Sequence, residues 1–173
     1  VLDSLGFNKP TPVQEKAIPI LISDTPIDFI GLAQTGTGKT AAFALPLIDI
    51  IESDNRSVQA LVLAPTRELV QQTATQVAQF AKVVKGVNVE VVFGGAAITN
   101  QINSLRKPTQ IVIATPGRLI DLIKRKAINL DQVRYVVLDE ADEMLNMGFK
   151  EDIDKILSFT PEQKVTWLFS ATM

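Results

Sequence analysis

The segment AQTGTGKT, at residues 33–40, places two glycines, three threonines and a lysine between two apolar runs. Its glycines allow the backbone to turn tightly, so that several N–H groups can point inward toward an anion. Lys39 adds a charge for the β- and γ-phosphates of a nucleotide, and Thr40 adds a hydroxyl for Mg²⁺. A plain turn is the alternative, but this spacing between a strand and a helix favours a Walker A phosphate loop, with Ala33 in place of the usual first glycine. We therefore expect nucleotide contacts from Gln34, Thr35, Gly36, Thr37, Gly38, Lys39 and Thr40.

An acidic residue that could hold the metal ion ends a later apolar run. Asp139 is the last residue of YVVLD, at residues 135–139, which is the position of a Walker B aspartate that binds Mg²⁺ through water. Glu140 follows and could orient or deprotonate an attacking water molecule. Both acids could instead cap a junction between a strand and a helix, but their presence alongside Lys39 and Thr40 favours catalysis. Asp139, Glu140 and Lys39 are the candidate catalytic residues, and Thr40 and Asp139 the candidate metal ligands.

Short apolar runs alternate with longer helical patterns along the whole chain. The runs are almost continuously apolar, as in strands covered on both faces; they lie at 29–33, 60–65, 89–94, 111–115, 135–139 and 167–171. Helical periodicity marks 68–86, 118–128 and 149–159. Strand, helix, strand without hairpin signals predicts an α/β fold, a doubly wound and mostly parallel sheet with helices on both faces.

Each predicted strand is followed by glycine, hydroxyl or charged residues. The segments are QTGTGKT, PTREL, GGAA, TPGR and EAD, and the sixth strand closes in SAT. Ligands bind outside the carboxyl ends of the strands in an open α/β sheet, and these segments all fall at that edge. A turn explains each segment alone, but not why acids, arginines and hydroxyls gather on one side.

The composition excludes several classes of chemistry. The chain has 173 residues without cysteine or histidine, which rules out a disulfide framework, a thiolate metal site and imidazole catalysis. Its formal net charge of −2 is not the basic excess of a protein that holds nucleic acid by bulk charge. No segment reaches the roughly 20 apolar residues that span a bilayer, so we expect a soluble, cytoplasmic protein with no membrane partner. Since the chain starts at Val1 and stops at SATM, we expect it to be part of a longer protein.

The order of these segments resembles one family. AQTGTGKT, PTREL, GG, TPGR, DEAD and SAT occur in sequence, preceded by GFNKPTPVQ at residues 6–14. Together they resemble the first RecA-like domain of a DEAD-box ATP-dependent RNA helicase, most like the bacterial members, over the whole of residues 1–173. The resemblance implies ATP and Mg²⁺ as cofactors, RNA as a partner, and a second RecA-like domain of the same polypeptide that is absent from this chain.

The resemblance also implies residue roles. GFNKPTPVQ is similar to the family's adenine-selecting Q motif, in which Phe7 would stack on the base, Lys9 would lie beside the nucleotide and Gln14 would hydrogen-bond the base edge. Contacts with the RNA backbone would come from Pro65, Thr66, Arg67, Gly95, Thr115, Pro116, Gly117 and Arg118. Asp142, Ser170 and Thr172 would couple the nucleotide site to RNA.

Less specific alternatives remain open for these residues. Phe7 could be a core residue, Gln14 a solvated helix residue, and each arginine part of a surface ion pair. The SAT segment could be an ordinary strand end. We expect Met144, Met147 and Phe149, which follow DEAD, to pack in the core.

The expected function is that of the ATP-binding half of a helicase. The domain would bind ATP·Mg²⁺ and the RNA backbone, and would hydrolyse ATP and unwind RNA duplexes locally when joined to the second domain. Alone it should be monomeric and nearly inactive, because the resemblance assigns the arginines that reach the γ-phosphate to the absent domain. A nucleotide-gated RNA clamp that does not unwind is the alternative, and a DNA translocase is disfavoured by the Q motif together with DEAD.

Overall fold

The computed structural model describes residues 2–173 and contains a six-stranded sheet flanked by helices. A short 3-10 turn, Asp3–Leu5, precedes the first helix. Strands β1 to β6 are Phe29–Leu32, Ala60–Leu63, Val89–Val92, Ile111–Ala114, Tyr135–Asp139 and Val165–Ser170. Helices α1 to α7 are Pro12–Leu21, Lys39–Ile50, Arg67–Ala81, Ile98–Leu105, Pro116–Lys124, Ala141–Asn146 and Lys150–Ser158.

All paired strands of the sheet are parallel, in the order β1-β6-β5-β2-β4-β3. Alternate residues of the central strands point to two separate cores, as the twofold period of a strand requires. In β2, for example, Val62 belongs to the core beneath α1, α2 and α3, while Leu61 belongs to the core beneath α5, α6 and α7. The predicted doubly wound α/β fold with helices on both faces is therefore confirmed.

The expectation that every strand is covered on both faces is wrong for β1. This strand forms one edge of the sheet and pairs only with β6, so its outer side has no neighbouring strand among residues 2–173. Ile30 and Leu32, which share one face of β1 by the twofold period of a strand, are 60% and 56% exposed. That face of β1 is therefore largely uncovered.

The prediction for the residues after DEAD is also only partly correct. Met144 is fully buried, whereas Met147 is exposed, because it lies in the turn that follows α6.

Helix α3 is shorter than its periodicity suggested. It ends at Ala81, and the chain beyond it turns twice, with Val84 N–H donating to the Ala81 carbonyl and Gly86 adopting φ +91°. No helix in the described part of the chain has the length and apolar character needed to cross a bilayer.

Candidate functional site

The loop between β1 and α2 has the backbone of a phosphate cradle. Gly36 and Gly38 adopt φ of +81° and +86°, conformations that residues with a Cβ rarely take. A Cβ at Gly38 would also lie 2.5 Å from Gln14 Nε2 and 3.0 Å from Thr11 Oγ1, so only glycine fits there. Gly38 is the N-cap of α2 and lacks a side-chain cap, so the first N–H groups of the helix can bind an anion.

Lys39 pairs with both candidate acids at the carboxyl end of β5. Its Nζ lies 3.2 Å from Asp139 Oδ1 and 3.6 Å from Glu140 Oε1. Lys39 is 5% exposed and Asp139 is fully buried. Burial raises the pKa of Asp139 above its ordinary value, and the charge of Lys39 offsets this only in part. The structure therefore brings Lys39 together with two adjacent acids that lie about one hundred positions later in the chain.

The surroundings of Asp139 suit a divalent cation. Both carboxylate oxygens are buried, and no donor in residues 2–173 has hydrogen-bond geometry toward them, although Lys39 is close. Thr40 and Asp139 line the same cavity, of about 410 Å³, which is completed by Phe7, Thr35, Gly36, Gly38, Lys39, Leu69, Gln72, Thr73, Gln76 and Glu140. Carboxylate and hydroxyl oxygens that line one cavity are the hard ligands that Mg²⁺ prefers. The residues present thus fit the metal ion predicted from the sequence.

Glu140 has an unusual backbone conformation. Its φ is +52° and its ψ +51°, in the left-handed region that non-glycine residues avoid. It precedes α6 as the N-cap residue, yet its side chain makes no cap hydrogen bond. Instead, Oε1 accepts a hydrogen bond of 3.4 Å from Thr35 Oγ1 of the phosphate loop. The strained turn directs the carboxylate toward the phosphate loop rather than toward its own helix.

Gln14 joins helix α1 to the phosphate loop. Its Nε2 donates to the Gly38 carbonyl at 3.0 Å, and its Oε1 accepts from Thr11 N–H at 3.1 Å. The residue is 4% exposed, so its interpretation as a solvated helix residue is wrong. Each end of the amide retains capacity for one more hydrogen bond, and its role with a base stays a prediction.

Phe7 and Lys9 lie beside this region. Phe7 packs edge-on against Phe80 with ring centroids 5.4 Å apart, so it does contribute to core packing as the alternative supposed. Phe7 also lines the 410 Å³ cavity that contains Lys39 and Asp139. Together with Lys9 and Gln14 it lines a smaller cavity of about 150 Å³. Stacking of its ring on a base stays a prediction.

Arg67, the first residue of α3, meets the turn that follows β3. Its guanidinium lies 5.1 Å from the centroid of the Phe93 ring. Gly95 has φ +85°, and a Cβ there would be 3.1 Å from Arg67 Nη1, so glycine allows the close approach. Thr66, which follows Pro65 at the end of the β2 segment, is the N-cap of α3. Its hydroxyl accepts a hydrogen bond from Leu69 N–H. The predicted RNA-binding segments PTREL and GG are therefore in contact.

Arg118 of α5 meets the same turn. Its Nη1 donates to the Ala96 carbonyl and to Gln101 Oε1, both at 3.0 Å. Neither Arg67 nor Arg118 takes part in an ion pair within residues 2–173, so the alternative of surface ion pairs is wrong. Thr115 is the N-cap of α5, with buried Pro116 at its first position and exposed Gly117 next.

Phe93 of this turn and Gln101 of α4, which donates a hydrogen bond to the Phe93 carbonyl, are not predicted from the sequence. Gln101 could have been found, because it occupies a position in the apolar stripe of α4 formed by Ile98, Ile102 and Leu105. An amide on such a stripe needs buried partners. Phe93 carries no comparable local signal.

The predicted contact between DEAD and SAT is present. Thr172 donates to Asp142 Oδ2 through its hydroxyl at 2.9 Å and its N–H at 3.1 Å, and Asp142 N–H donates to Ser170 Oγ at 3.2 Å. Desolvation acts to raise the pKa of Asp142, but hydrogen bonds from Thr172, Ser170 and the neighbouring backbone outweigh it, so the pKa lies below its ordinary value. These bonds join the end of β6 to the start of α6, next to Glu140.

Comparisons with known proteins agree on one family. A family model described as DEAD/DEAH box helicase matches residues 11–173. The chain is 51% identical over 172 residues to the DEAD-box ATP-dependent RNA helicase CshA of Streptococcus pneumoniae, an alignment that covers 99% of the chain and 32% of that relative. It is 49% identical over 172 residues to the ATP-dependent RNA helicase DeaD of Escherichia coli (strain K12), covering 99% of the chain and 27% of the relative.

Solved structures give the same result for the fold. A DEAD box protein from the hyperthermophile Methanococcus jannaschii superposes with a TM-score of 0.93 at 45% identity, covering 99% of the chain and 46% of that structure. The chain spans about a third or less of the length of the curated relatives described above.

Proposed function

The chain belongs to the DEAD/DEAH box helicase family, and we propose that residues 1–173 form the first RecA-like domain of an ATP-dependent RNA helicase. The observation that supports this most directly is the buried pair of Lys39 and Asp139, which shares a cavity with Glu140 and the phosphate loop. CshA and DeaD, whose sequences are 51% and 49% identical to the chain, are named ATP-dependent RNA helicases.

The phosphate loop and Lys39 would bind the β- and γ-phosphates of ATP. Opposite charge draws the phosphates to Lys39, which then exchanges part of its contact with the two acids for the nucleotide. Asp139 and Thr40 would hold Mg²⁺, which when bound neutralises charge on the phosphates. Gln14, Phe7 and Lys9 would select adenine through the base edge and face.

Glu140 would act on the attacking water. As a carboxylate it accepts a proton from the water while the water oxygen bonds to the γ-phosphorus and the bond to the β–γ bridging oxygen breaks. The products are ADP and phosphate, and the accepted proton later returns to solvent. The hydrogen bond from Thr35 keeps the carboxylate at the phosphate loop during this step.

The turn after β3, with Arg67 and Arg118 on either side, would bind the RNA backbone. Guanidinium groups bind phosphate oxygens through charge-assisted hydrogen bonds and carry no base information. The amino ends of α3 and α5 add N–H groups at the same edge of the sheet. Asp142, Ser170 and Thr172 connect the strand next to β1 with the residues beside Glu140, and would pass changes between the two sites.

The experiment that tests this proposal is hydrolysis by the full-length protein. Turnover should be highest with ATP and single-stranded RNA, low with DNA, and low without nucleic acid, and ATP should be preferred over GTP. A strand-displacement assay on an RNA duplex then separates a helicase from a clamp. Turnover that is independent of RNA, or equal with DNA, contradicts the proposal, and RNA-stimulated turnover without strand displacement replaces it with the clamp.

A further inference from the structure

Gln101 is a buried polar residue at a position that suits an apolar one. Its helix, α4, places Ile98, Ile102 and Leu105 against the core shared with α5 and α7, and Gln101 itself is 8% exposed. A buried amide without partners destabilises a fold. Its presence on this face therefore indicates specific partners.

Both ends of the Gln101 amide are engaged, and they join two elements of the RNA-facing edge. Its Nε2 donates to the Phe93 carbonyl at 3.0 Å, just beyond β3. Its Oε1 accepts from Arg118 Nη1 at 3.0 Å, at the start of α5. Gln101 thus fixes the distance between the turn after β3 and the guanidinium of Arg118.

The same contacts determine which part of Arg118 is available. Nη1 uses both of its N–H groups, one toward Gln101 and one toward the Ala96 carbonyl. Three N–H groups remain, on Nε and Nη2, and they have no hydrogen-bond partner within residues 2–173. A guanidinium held along one edge and open along the other is pre-organised for an anion.

Phe93 extends this arrangement to the second arginine. Its carbonyl is held by Gln101, while its ring lies beneath the guanidinium of Arg67 at 5.1 Å. Arg67 and Arg118 are therefore positioned against a single turn, to which Gln101 donates a hydrogen bond.

We propose that Gln101 is a positioning residue for RNA binding: it fixes Arg118, and through Phe93 the separation of Arg118 from Arg67, so that both meet phosphates of one strand. This inference rests on the proposed function, because it requires that Arg118 contacts the RNA backbone. Gln101 itself need not touch RNA.

The test measures binding of a short fluorescent oligouridylate to the full-length protein, with a non-hydrolysable ATP analogue present, at several salt concentrations. Gln101→Leu keeps the size of the side chain but removes both hydrogen bonds, and it should weaken RNA binding roughly three- to tenfold. The slope of log Kd against log salt should fall by up to about 0.7, the value for one phosphate contact on a single strand. Gln101→Glu keeps the acceptor for Arg118, but it loses the donor to the Phe93 carbonyl and places a negative charge beside the guanidinium, so it should not restore the affinity.

A double-mutant cycle tests whether Gln101 acts through Arg118. Gln101→Leu should add no further loss of RNA affinity to Arg118→Ala, because residues in one hydrogen-bond network are not additive. Asn103→Leu, an exposed position on the same helix, is the matched control and should bind RNA normally. Unchanged affinity for the ATP analogue reports that each variant is folded.

Three results would overturn the inference, and they separate it from the proposed function. If Arg118→Ala weakens RNA binding but Gln101→Leu changes neither affinity nor salt slope, Gln101 does not position the arginine. If Gln101→Leu causes the same loss in both backgrounds, it acts elsewhere. If Arg118→Ala binds RNA as well as the unmodified protein, the proposed RNA contact of Arg118 fails, and the role of Gln101 fails with it.

Discussion

The cavity at the phosphate loop, where we propose that nucleotide binds, and the turn after β3, where we propose that RNA binds, hold their cations in opposite ways. Lys39 is buried between two carboxylates, so its charge is compensated by the chain itself. Arg67 and Arg118 are held by a ring, a carbonyl oxygen and an amide, none of which carries a compensating charge. A ligand of the first region must therefore compete with an existing ion pair. The second region offers two positioned guanidinium groups that still have N–H groups free to donate.

This difference has consequences for both ligands. A nucleotide at the cavity must draw Lys39 away from Asp139 and Glu140, and a metal ion is then needed to compensate the buried acids. A phosphate at the turn displaces only water and counterions, so RNA affinity should depend steeply on salt. A net charge of −2 is compatible with the proposed RNA contact, because that contact needs a few positioned donors rather than a basic surface.

The largest expected effect concerns what the cavity lacks. No arginine is among the residues of 2–173 that line it, and Arg67 and Arg118 are engaged at the other region. An arginine finger contributes about 10³–10⁵ in rate, so the isolated fragment should turn over ATP more slowly than the full-length protein by roughly that factor. Turnover of both, at saturating ATP, Mg²⁺ and RNA, measures it.

The control for this comparison is nucleotide binding by the fragment, which should be retained because Lys39, Thr40 and Asp139 are present. RNA should barely stimulate the fragment. Equal turnover by fragment and full-length protein would mean that an arginine within the chain serves as the finger, and the two regions would then not be separate.

Replacing Glu140 should have the next largest effect. Glu140→Gln keeps the acceptor for Thr35 but cannot accept a proton from water, and general-base catalysis contributes about 10²–10⁴ in rate. RNA-stimulated turnover of the full-length protein should fall by that amount, while affinity for ATP stays within a few-fold. Normal turnover by this variant would show that Glu140 only begins a helix.

Much of the fold and of the nucleotide site could be predicted from the sequence. Strands β2 and β4 are apolar throughout because they are buried on both faces, and this pattern indicates parallel strands. The phosphate loop was predictable because its residues are contiguous and its backbone needs glycine at positions 36 and 38. The order of strands in the sheet was not, since it depends on long-range pairing.

The turn after β3 shows what local sequence patterns cannot predict. Arg118 is recognisable in TPGR, but the acceptor that holds it lies 17 residues earlier, on another helix. Met147 was misplaced for a related reason: an apolar residue after a helix can lie in a turn, and only the packing of α6 and α7 decides whether it is covered.

Lys39→Ala should have an intermediate effect, on binding rather than on rate alone. It removes charge-assisted bonds to phosphate, worth about 1.5–3 kcal/mol, so nucleotide affinity should fall at least about tenfold. It also leaves Asp139 buried without its cation, which raises the pKa of that carboxyl further. Titration with a labelled adenine nucleotide measures the affinity, and Lys82→Ala, an exposed lysine after α3, is the matched control. Unchanged affinity would remove Lys39 from the cradle.

The smallest expected effect concerns Asp142, which lies between the two regions. Because hydrogen bonds lower its pKa in the folded protein, Asp142 contributes stability that is present above the ordinary value of 3.8 and lost as the pH falls through the lowered value.

Thr172→Val removes the hydroxyl donor and should move the pKa of Asp142 back up toward 3.8. Since Asp142 is only partly buried and solvent screens its interactions, the loss of stability at neutral pH should be about 0.5 kcal/mol or less. A carboxyl-carbon NMR titration of Asp142 measures the pKa, with Thr75→Val as control, since that exposed hydroxyl donates only to the Gln71 carbonyl. If the pKa of Asp142 does not change in Thr172→Val, the contact between DEAD and SAT does not carry the charge of Asp142, and the coupling proposed between the two regions loses its physical basis.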